Sequence, residues 1–161
     1  SEAEGIPSEP TQEVTVDIDI NAYISSSYIS DDETRLDIYQ KIAHIQTEGD
    51  ISDLTDELVD RFGDVPEEVL SLMYISYIRY IAGKIGFQTV SEKQDKLLFV
   101  FRPGVKITEV KFLPAVMETF RGKVILNAGT EPYLTLDEKG LSRRDRLRNA
   151  VRFASVCFEN R

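Results

Sequence analysis

Four carboxylates recur at helical spacing in the first half of the chain. Asp53, Asp56, Glu57 and Asp60 stand at positions i, i+3, i+4 and i+7, a spacing that places them on one face of a helix. Such a cluster can bind a cation, but a metal site needs further ligands from a second element, and the sequence indicates none. The spacing therefore favours a solvated helix face, with a polar docking surface for a basic partner as the alternative.

A second charged cluster lies near the end of the chain. It consists of five arginines: Arg143, Arg144, Arg146, Arg148 and Arg152. Arginines in the first turn of a helix oppose the helix dipole, so they require compensation by acidic residues or by a ligand. They can neutralise phosphates, although no base-reading motif accompanies them. A solvated or internally paired cluster is the simplest interpretation, and a nucleic-acid-binding module is the alternative function.

The chain lacks the motifs of nucleotide and nucleophile chemistry. Lys84 and Lys123 follow glycines, but neither has the earlier glycine or the following hydroxyl of a phosphate-binding loop. His44 is the only histidine and Cys157 the only cysteine. We expect His44 on a helix surface or at the edge of the core, and Cys157 packed and inert. No catalytic residue, metal or cofactor site is predicted, and a carboxylate-based hydrolase ranks last because no paired acid is identifiable.

Composition indicates one intracellular domain. The 161 residues are 42% hydrophobic, which suffices for a core without disulfides, and a single cysteine fits a reduced, cytoplasmic location. The densest apolar run, residues 69–82, is too short to span a bilayer and contains Arg79.

The two halves of the chain differ in charge. Residues 1–86 carry 5 basic and 19 acidic side chains, whereas residues 87–161 carry 14 basic and 9 acidic. The two halves either attract one another or offer different partner surfaces.

The opening residues 1–13 are predicted to be a linker or a cloning-derived segment, because they contain little that can be buried. Residues 14–161 are then the folded domain. Apolar side chains alternate over residues 14–20, which predicts a half-buried strand.

A first helix is predicted over residues 31–47. Ser30 and Glu33 have the spacing of a capping box, and Gly49 supplies a stop. The predicted apolar stripe, widened by two further isoleucines, consists of Leu36, Ile38, Tyr39, Ile42, Ala43 and Ile45.

The remaining elements follow from periodicity and turn residues. Helices are predicted over 53–62, 66–85, 108–120 and 142–158, and strands over 87–91, 97–101, 124–127 and 133–136. The helix at 66–85 has apolar residues on nearly all sides, so we expect it at the centre of the core. The order predicts an α+β fold in a single compact domain: an N-terminal strand and three-helix half, then short antiparallel strand pairs and two further helices.

Two motifs within this frame resemble a known family. They are Arg-Leu-Asp-Ile-Tyr-Gln-Lys-Ile-Ala at residues 35–43, and Glu-Leu-Val-Asp-Arg-Phe-Gly at residues 57–63 followed by Pro66. Together they resemble the C-terminal regulatory domain of the bacterial transcription-repair coupling factor. The resemblance covers residues 14–86 through motifs, and the rest through the order of elements.

The resemblance implies a parent that is an ATP-dependent DNA translocase. Such a parent releases RNA polymerase stalled at lesions and recruits nucleotide excision repair, with ATP and magnesium bound by its motor and no cofactor in this chain. The domain would pack against an excinuclease-B-like N-terminal module and mask the surface that binds excinuclease A. RNA polymerase and duplex DNA would be contacted by other domains, and no membrane is involved. Glu57, Asp60 and Arg61 match the polar contact positions, with Asp53 and Asp56 flanking them, whereas Phe62 and Gly63 would shape the helix end.

Overall fold

The structure is a computed structural model that describes residues 13–161. The described part contains five α-helices: α1 (Asp32–Ala43), α2 (Glu48–Phe62), α3 (Glu67–Ile85), α4 (Leu113–Thr119) and α5 (Arg143–Glu159). It also contains five strands: β1 (Thr15–Asp17), β2 (Phe87–Lys93), β3 (Lys96–Phe101), β4 (Val124–Asn127) and β5 (Tyr133–Asp137). The predicted α+β class is confirmed, and the predicted opening linker lies, except for Glu13, outside the described residues.

The five strands form one mixed sheet in the order β1-β2-β3-β5-β4. β1 runs parallel to β2, and the crossover between them carries α1, α2 and α3. All other neighbours are antiparallel, including the two predicted strand pairs β2–β3 and β4–β5. Because β5 pairs with β3 as well as with β4, it joins the two pairs into one sheet.

Helices α3 and α5 build the core together with the sheet. Met73, Ile78 and Ile81 of α3 are fully buried, which confirms α3 as the central helix. Phe153 of α5 stacks on Phe99 of β3 with ring centroids 4.5 Å apart. Such an aromatic pair contributes about 0.5 to 1.5 kcal/mol beyond the burial of its apolar area.

The first strand is shorter than predicted. Its alternation is confirmed, since Val14 is buried and Val16, Ile18 and Ile20 pack against the core. Backbone pairing with β2 covers only Thr15–Asp17. An alternating pattern thus reports which side chains are buried, but not how far the ladder extends.

Helix α1 differs from the prediction at its start and in its buried face. Asp31, not Ser30, is the N-cap: its carboxylate accepts hydrogen bonds from the Thr34 amide at 2.9 Å and the Thr34 hydroxyl at 2.6 Å. Ile38 and Ile42 are buried, but Leu36 is 59% exposed and Tyr39 is 36% exposed. The predicted stripe was therefore too wide. α1 also ends at Ala43 rather than near residue 47.

Helix α2 begins five residues before its predicted start. Thr47 and Asp50 form a capping box, in which the Thr47 hydroxyl accepts from the Asp50 amide and the Asp50 carboxylate accepts from the Thr47 amide. Gly49, predicted as a stop, lies inside the first turn. The cap outweighs the weak helix preference of one glycine because it satisfies otherwise unpaired amides and lets Ile51 and Leu54 become buried.

The predicted helix over residues 108–120 is divided. A 3₁₀ turn covers Ile107–Glu109, and α4 begins only at Leu113. Pro114 stands in the first turn of α4, where its missing N–H is not needed. In a continuous helix its ring would clash with the carbonyl of Val110, so the chain breaks between the two helical pieces.

In the part of the chain that the structure describes, no helix combines the length and the apolar character needed to cross a bilayer.

Candidate docking surface on helix α2

Helix α2 presents its carboxylates on one face. Asp53, Asp56 and Asp60 are exposed, and Glu57 is partly exposed at the centre of the row. Leu54 and Leu58 of the same helix are buried. The amphipathic pattern thus places the predicted acidic residues on the solvent side of α2.

Glu57 is held by two cations. Its Oε2 lies 2.8 Å from Nζ of Lys41 on α1 and 2.7 Å from Nη1 of Arg61 one turn along α2. The hydrogen bonds from Lys41 and Arg61 lower the pKa of the Glu57 carboxyl, and the bond to Glu57 raises the pKa of Lys41. The three side chains form a charged unit that faces solvent, since each is between 34% and 43% exposed.

Asp60 differs from Glu57 in its surroundings. It is exposed and forms no salt bridge with any residue between 13 and 161. Its carboxylate therefore keeps its full capacity to accept hydrogen bonds from a partner. Asp53 and Asp56 are likewise exposed, so the row carries an excess of negative charge on either side of the Glu57 unit.

The C-terminal end of α2 is fixed by aromatic and glycine contacts. The Tyr28 ring packs edge-on against Phe62 at 5.8 Å, and the Tyr28 hydroxyl donates to the Gly63 carbonyl at 3.0 Å. The Arg61 guanidinium lies 4.9 Å from the centre of the Phe62 ring. Gly63 has φ 87°, a conformation that favours glycine. These contacts orient the last turn, which carries Asp60 and Arg61.

A cleft of about 450 Å³ separates α2 from α1. Asp37, Lys41 and His44 line it from α1, and Asp53 and Glu57 line it from α2. His44 is exposed at the end of α1, with Nδ1 2.7 Å from the Gln40 carbonyl oxygen. The pairing of Lys41 with Glu57 cannot be read from the sequence, because the two residues are 16 positions apart on different helices and no spacing rule connects them.

Within residues 13–161, no group of three or more histidine, cysteine, aspartate or glutamate side chains is arranged to hold a metal ion. Cys157 is fully buried, and burial raises the pKa of its thiol. Since the thiolate is the reactive form, a buried thiol of this kind is unreactive.

The arginines of α5 are largely engaged within the fold. Arg143 pairs with Glu92 at 2.6 Å, and Arg146 pairs with Asp95 at 2.9 Å. The predicted acidic compensation is thereby confirmed for these two. Arg152 lies over the Phe120 ring at 5.0 Å. Arg144 and Arg148 are exposed, without a salt bridge inside the described range.

Comparisons with known proteins agree on one family. The family model for the TRCF domain matches residues 18–112. The transcription-repair-coupling factor of Staphylococcus aureus (strain USA300) is 28% identical over 162 residues, which is 95% of this chain and 13% of the relative. The transcription-repair-coupling factor of Staphylococcus epidermidis is 32% identical over 111 residues, or 68% of this chain and 9% of the relative. The chain thus spans a small part of the length of these relatives.

The fold supports the same relationship beyond the range of the family model. A solved structure described as the C-terminal domain of transcription-repair coupling factor superposes with a TM-score of 0.76 at 25% sequence identity. The likeness covers 92% of this chain and 94% of the other. The chain therefore belongs to the TRCF domain family and has the fold of the C-terminal domain of transcription-repair coupling factor.

Proposed function

We propose that this chain is the non-catalytic regulatory domain of an ATP-dependent DNA translocase that releases stalled RNA polymerase and recruits nucleotide excision repair. In the resting parent, the acidic row of α2 docks on an excinuclease-B-like module. This contact masks the surface that binds excinuclease A. The family membership supports the parent, and the exposed carboxylates beside a fixed helix end support the docking face.

The observation that carries the proposal is the position of Asp60 next to the Glu57 unit, exposed and without a salt bridge to any other residue of the range 13–161. Asp60 is available to a basic partner without first losing an internal ion pair. Glu57 contributes differently, because Lys41 and Arg61 already bind its Oε2. A partner can add a hydrogen bond to the other carboxylate oxygen, since a carboxylate offers about four lone-pair sites.

A polar interface suits a reversible gate. Keeping 99% of the molecules closed requires only about 2.7 kcal/mol, and a loss of about 1.4 kcal/mol raises the open population tenfold. If polymerase and DNA bind the open form more tightly than the closed form, their binding shifts the population toward the open form. Charged contacts of this kind set the orientation of docking and exclude wrong partners.

The test uses the full-length parent with Asp60→Ala, Glu57→Ala and the control Glu118→Ala. Glu118 is a comparable carboxylate, exposed on α4 and paired with Arg121 at 2.7 Å. We expect Asp60→Ala and Glu57→Ala to raise affinity for excinuclease A and basal ATPase activity by roughly 3- to 10-fold, as a loss of about 1 kcal/mol dictates. Glu118→Ala should change neither.

If the affinity for excinuclease A and the ATPase rate of both α2 variants equal those of the wild type, the docking assignment is wrong. If Glu118→Ala raises them as much, the effect is one of net charge, and α2 is not the docking face. Chemical denaturation of each variant separates loss of docking from loss of folding.

A further inference from the structure

A basic groove lies on the side of the domain formed by α3 and the connection from β3 to α4. Its volume is about 1540 Å³. Six cationic side chains line it: Arg79, Lys84, Arg102, Lys106, Lys111 and Arg161. Only two acidic side chains, Glu13 and Glu109, line it within the described residues. The groove is thus strongly positive, although the whole chain has a net charge of −9.

The cations of this basic groove are not neutralised by the fold. Between residues 13 and 161, none of the six takes part in a salt bridge, in contrast to Lys41, Arg61, Arg143 and Arg146. Arg79, Lys84, Lys106 and Lys111 are exposed. Ion pairing therefore engages Arg143 and Arg146 of the α5 cluster, whereas all six cations of the basic groove lack a salt bridge within the described residues.

Arg102 lines the basic groove with a partly buried guanidinium group. Its Nη1 donates to the Gly83 carbonyl at 3.1 Å, while its Nη2 is buried and has no hydrogen-bond partner among the described residues. Burial lowers the pKa of the guanidinium, because the charged form has lost part of its hydration. A cation in this state is stabilised by an anion in the groove even without direct contact, since a cleft with low-dielectric walls concentrates the field.

The size and lining of the basic groove indicate a polymer. Its volume exceeds the roughly 300 to 1000 Å³ of ordinary small-molecule sites. Clusters of lysine and arginine bind acidic protein segments as well as phosphates, but a phosphate backbone repeats its charge at short, regular intervals and so meets cations that are spread along a path. Lysines and arginines from three separate segments supply that path.

We infer that the basic groove binds the phosphate backbone of duplex DNA without reading its sequence. This activity is independent of the docking proposed for α2, because the contacts come from other elements. It also replaces the arginines of α5 with a different set of residues as the nucleic-acid-binding surface.

The experiment titrates the 161-residue chain into a fluorescently labelled 20-bp duplex at 50 and 200 mM salt and follows anisotropy. Four phosphate contacts predict a slope of about −3.6 for log K against log salt, or a loss of roughly 150-fold over this range. Lys106→Gln with Lys111→Gln removes two contacts and should make the slope shallower by about 1.8. The matched control, Arg144→Gln with Arg148→Gln, removes the same charge from α5 and should leave the slope unchanged.

Three results overturn the inference. The first is the absence of binding at 50 mM salt with the chain at several hundred micromolar. The second is an equal change of slope in the two double variants, which would mean a general effect of net charge or a site on α5. The third is competition by a poly-glutamate peptide at least as strong, per charge, as competition by unlabelled duplex, which would assign the groove to an acidic protein segment. Thermal unfolding of every variant verifies that the fold is kept.

Discussion

The Nζ atom of Lys41 lies 2.8 Å from Oε2 of Glu57 and links the exposed faces of α1 and α2. Both side chains are about one third or more exposed, so water screens the pair and its contribution to stability is small. We expect Lys41→Met to lower the free energy of unfolding by less than about 1 kcal/mol. Urea denaturation at neutral pH measures this difference.

The pair of Lys41 and Glu57 also makes the free energy of unfolding depend on pH. Lys41 and Arg61 lower the pKa of the folded Glu57 carboxyl. Its stabilising contribution is therefore present above the ordinary glutamate pKa and is lost as pH falls through the lowered folded value. The difference between wild type and Lys41→Met should shrink between pH 5 and pH 2.5. A difference that grows on acidification would contradict this pairing.

A hydrogen-bond chain that is buried at Tyr77 and Ser155 and ends at the exposed Glu48 joins helices α3, α5 and α2. The Tyr77 hydroxyl lies 2.6 Å from Oγ of Ser155, which in turn donates to Oε2 of Glu48 at 2.6 Å. Tyr77→Phe removes the first bond and should cost about 1 to 2 kcal/mol, whereas Ser155→Ala also leaves the buried Tyr77 hydroxyl without a partner and should cost more. Tyr74→Phe is the control, because the Tyr74 hydroxyl makes no hydrogen bond within residues 13–161. Equal losses in all three variants would show that the chain contributes nothing specific.

Gly49 and Gly63 should respond in opposite ways to alanine. Gly49 lies inside the first turn of α2, and an added Cβ would meet only the Thr47 hydroxyl at 3.5 Å. Gly49→Ala should therefore stabilise the domain by about 0.4 to 1 kcal/mol. Gly63, with φ 87° and ψ −164°, occupies a region essentially reserved for glycine, so Gly63→Ala should cost about 1 to 3 kcal/mol. Thermal unfolding of the two variants checks both signs, and a destabilising Gly49→Ala would restore the sequence-based view of Gly49 as a helix breaker.

Sequence periodicity predicted the elements well where side chains are buried on a clear face. The central position of α3 and the pairs β2–β3 and β4–β5 follow from apolar patterns, which report burial directly. Periodicity failed at Gly49 and at Leu36. The capping box of Thr47 and Asp50 explains the helix at Gly49. Leu36 is exposed because the buried residues of α1 are only Ile38 and Ile42.

Spacing along the chain predicts which charges share a helix face, but not which charges pair across elements. The acidic row of α2 could be predicted because i, i+3, i+4 and i+7 fix a helix face. The partners of Glu57 and Arg146 could not, since Lys41 and Asp95 belong to other elements. The basic groove likewise gathers Arg79, Lys106 and others from separate segments, and only tertiary packing brings them together.

Glu138 is a buried carboxyl without a hydrogen bond to either oxygen inside the described range. Burial, together with the nearby Glu92 and, to a smaller extent, Asp137, raises its pKa to about 8, against the opposing effect of Arg146 and Arg143. The folded state then holds a proton that the unfolded state releases above the ordinary glutamate pKa. Its stability therefore falls as pH rises from about 4.5 toward 8.

Glu138→Gln removes this titration while keeping the shape of the side chain. We expect the variant to match the wild type near pH 4.5 and to exceed it by about 4 kcal/mol at pH 8.5, because each unit by which the folded pKa of Glu138 lies above the ordinary glutamate value is worth about 1.36 kcal/mol. Urea denaturation from pH 4.5 to 8.5 measures the divergence, with Glu131→Gln as an exposed control. Parallel curves for wild type and Glu138→Gln would mean that Glu138 stays ionised, because only the neutral acid produces a difference that widens with pH.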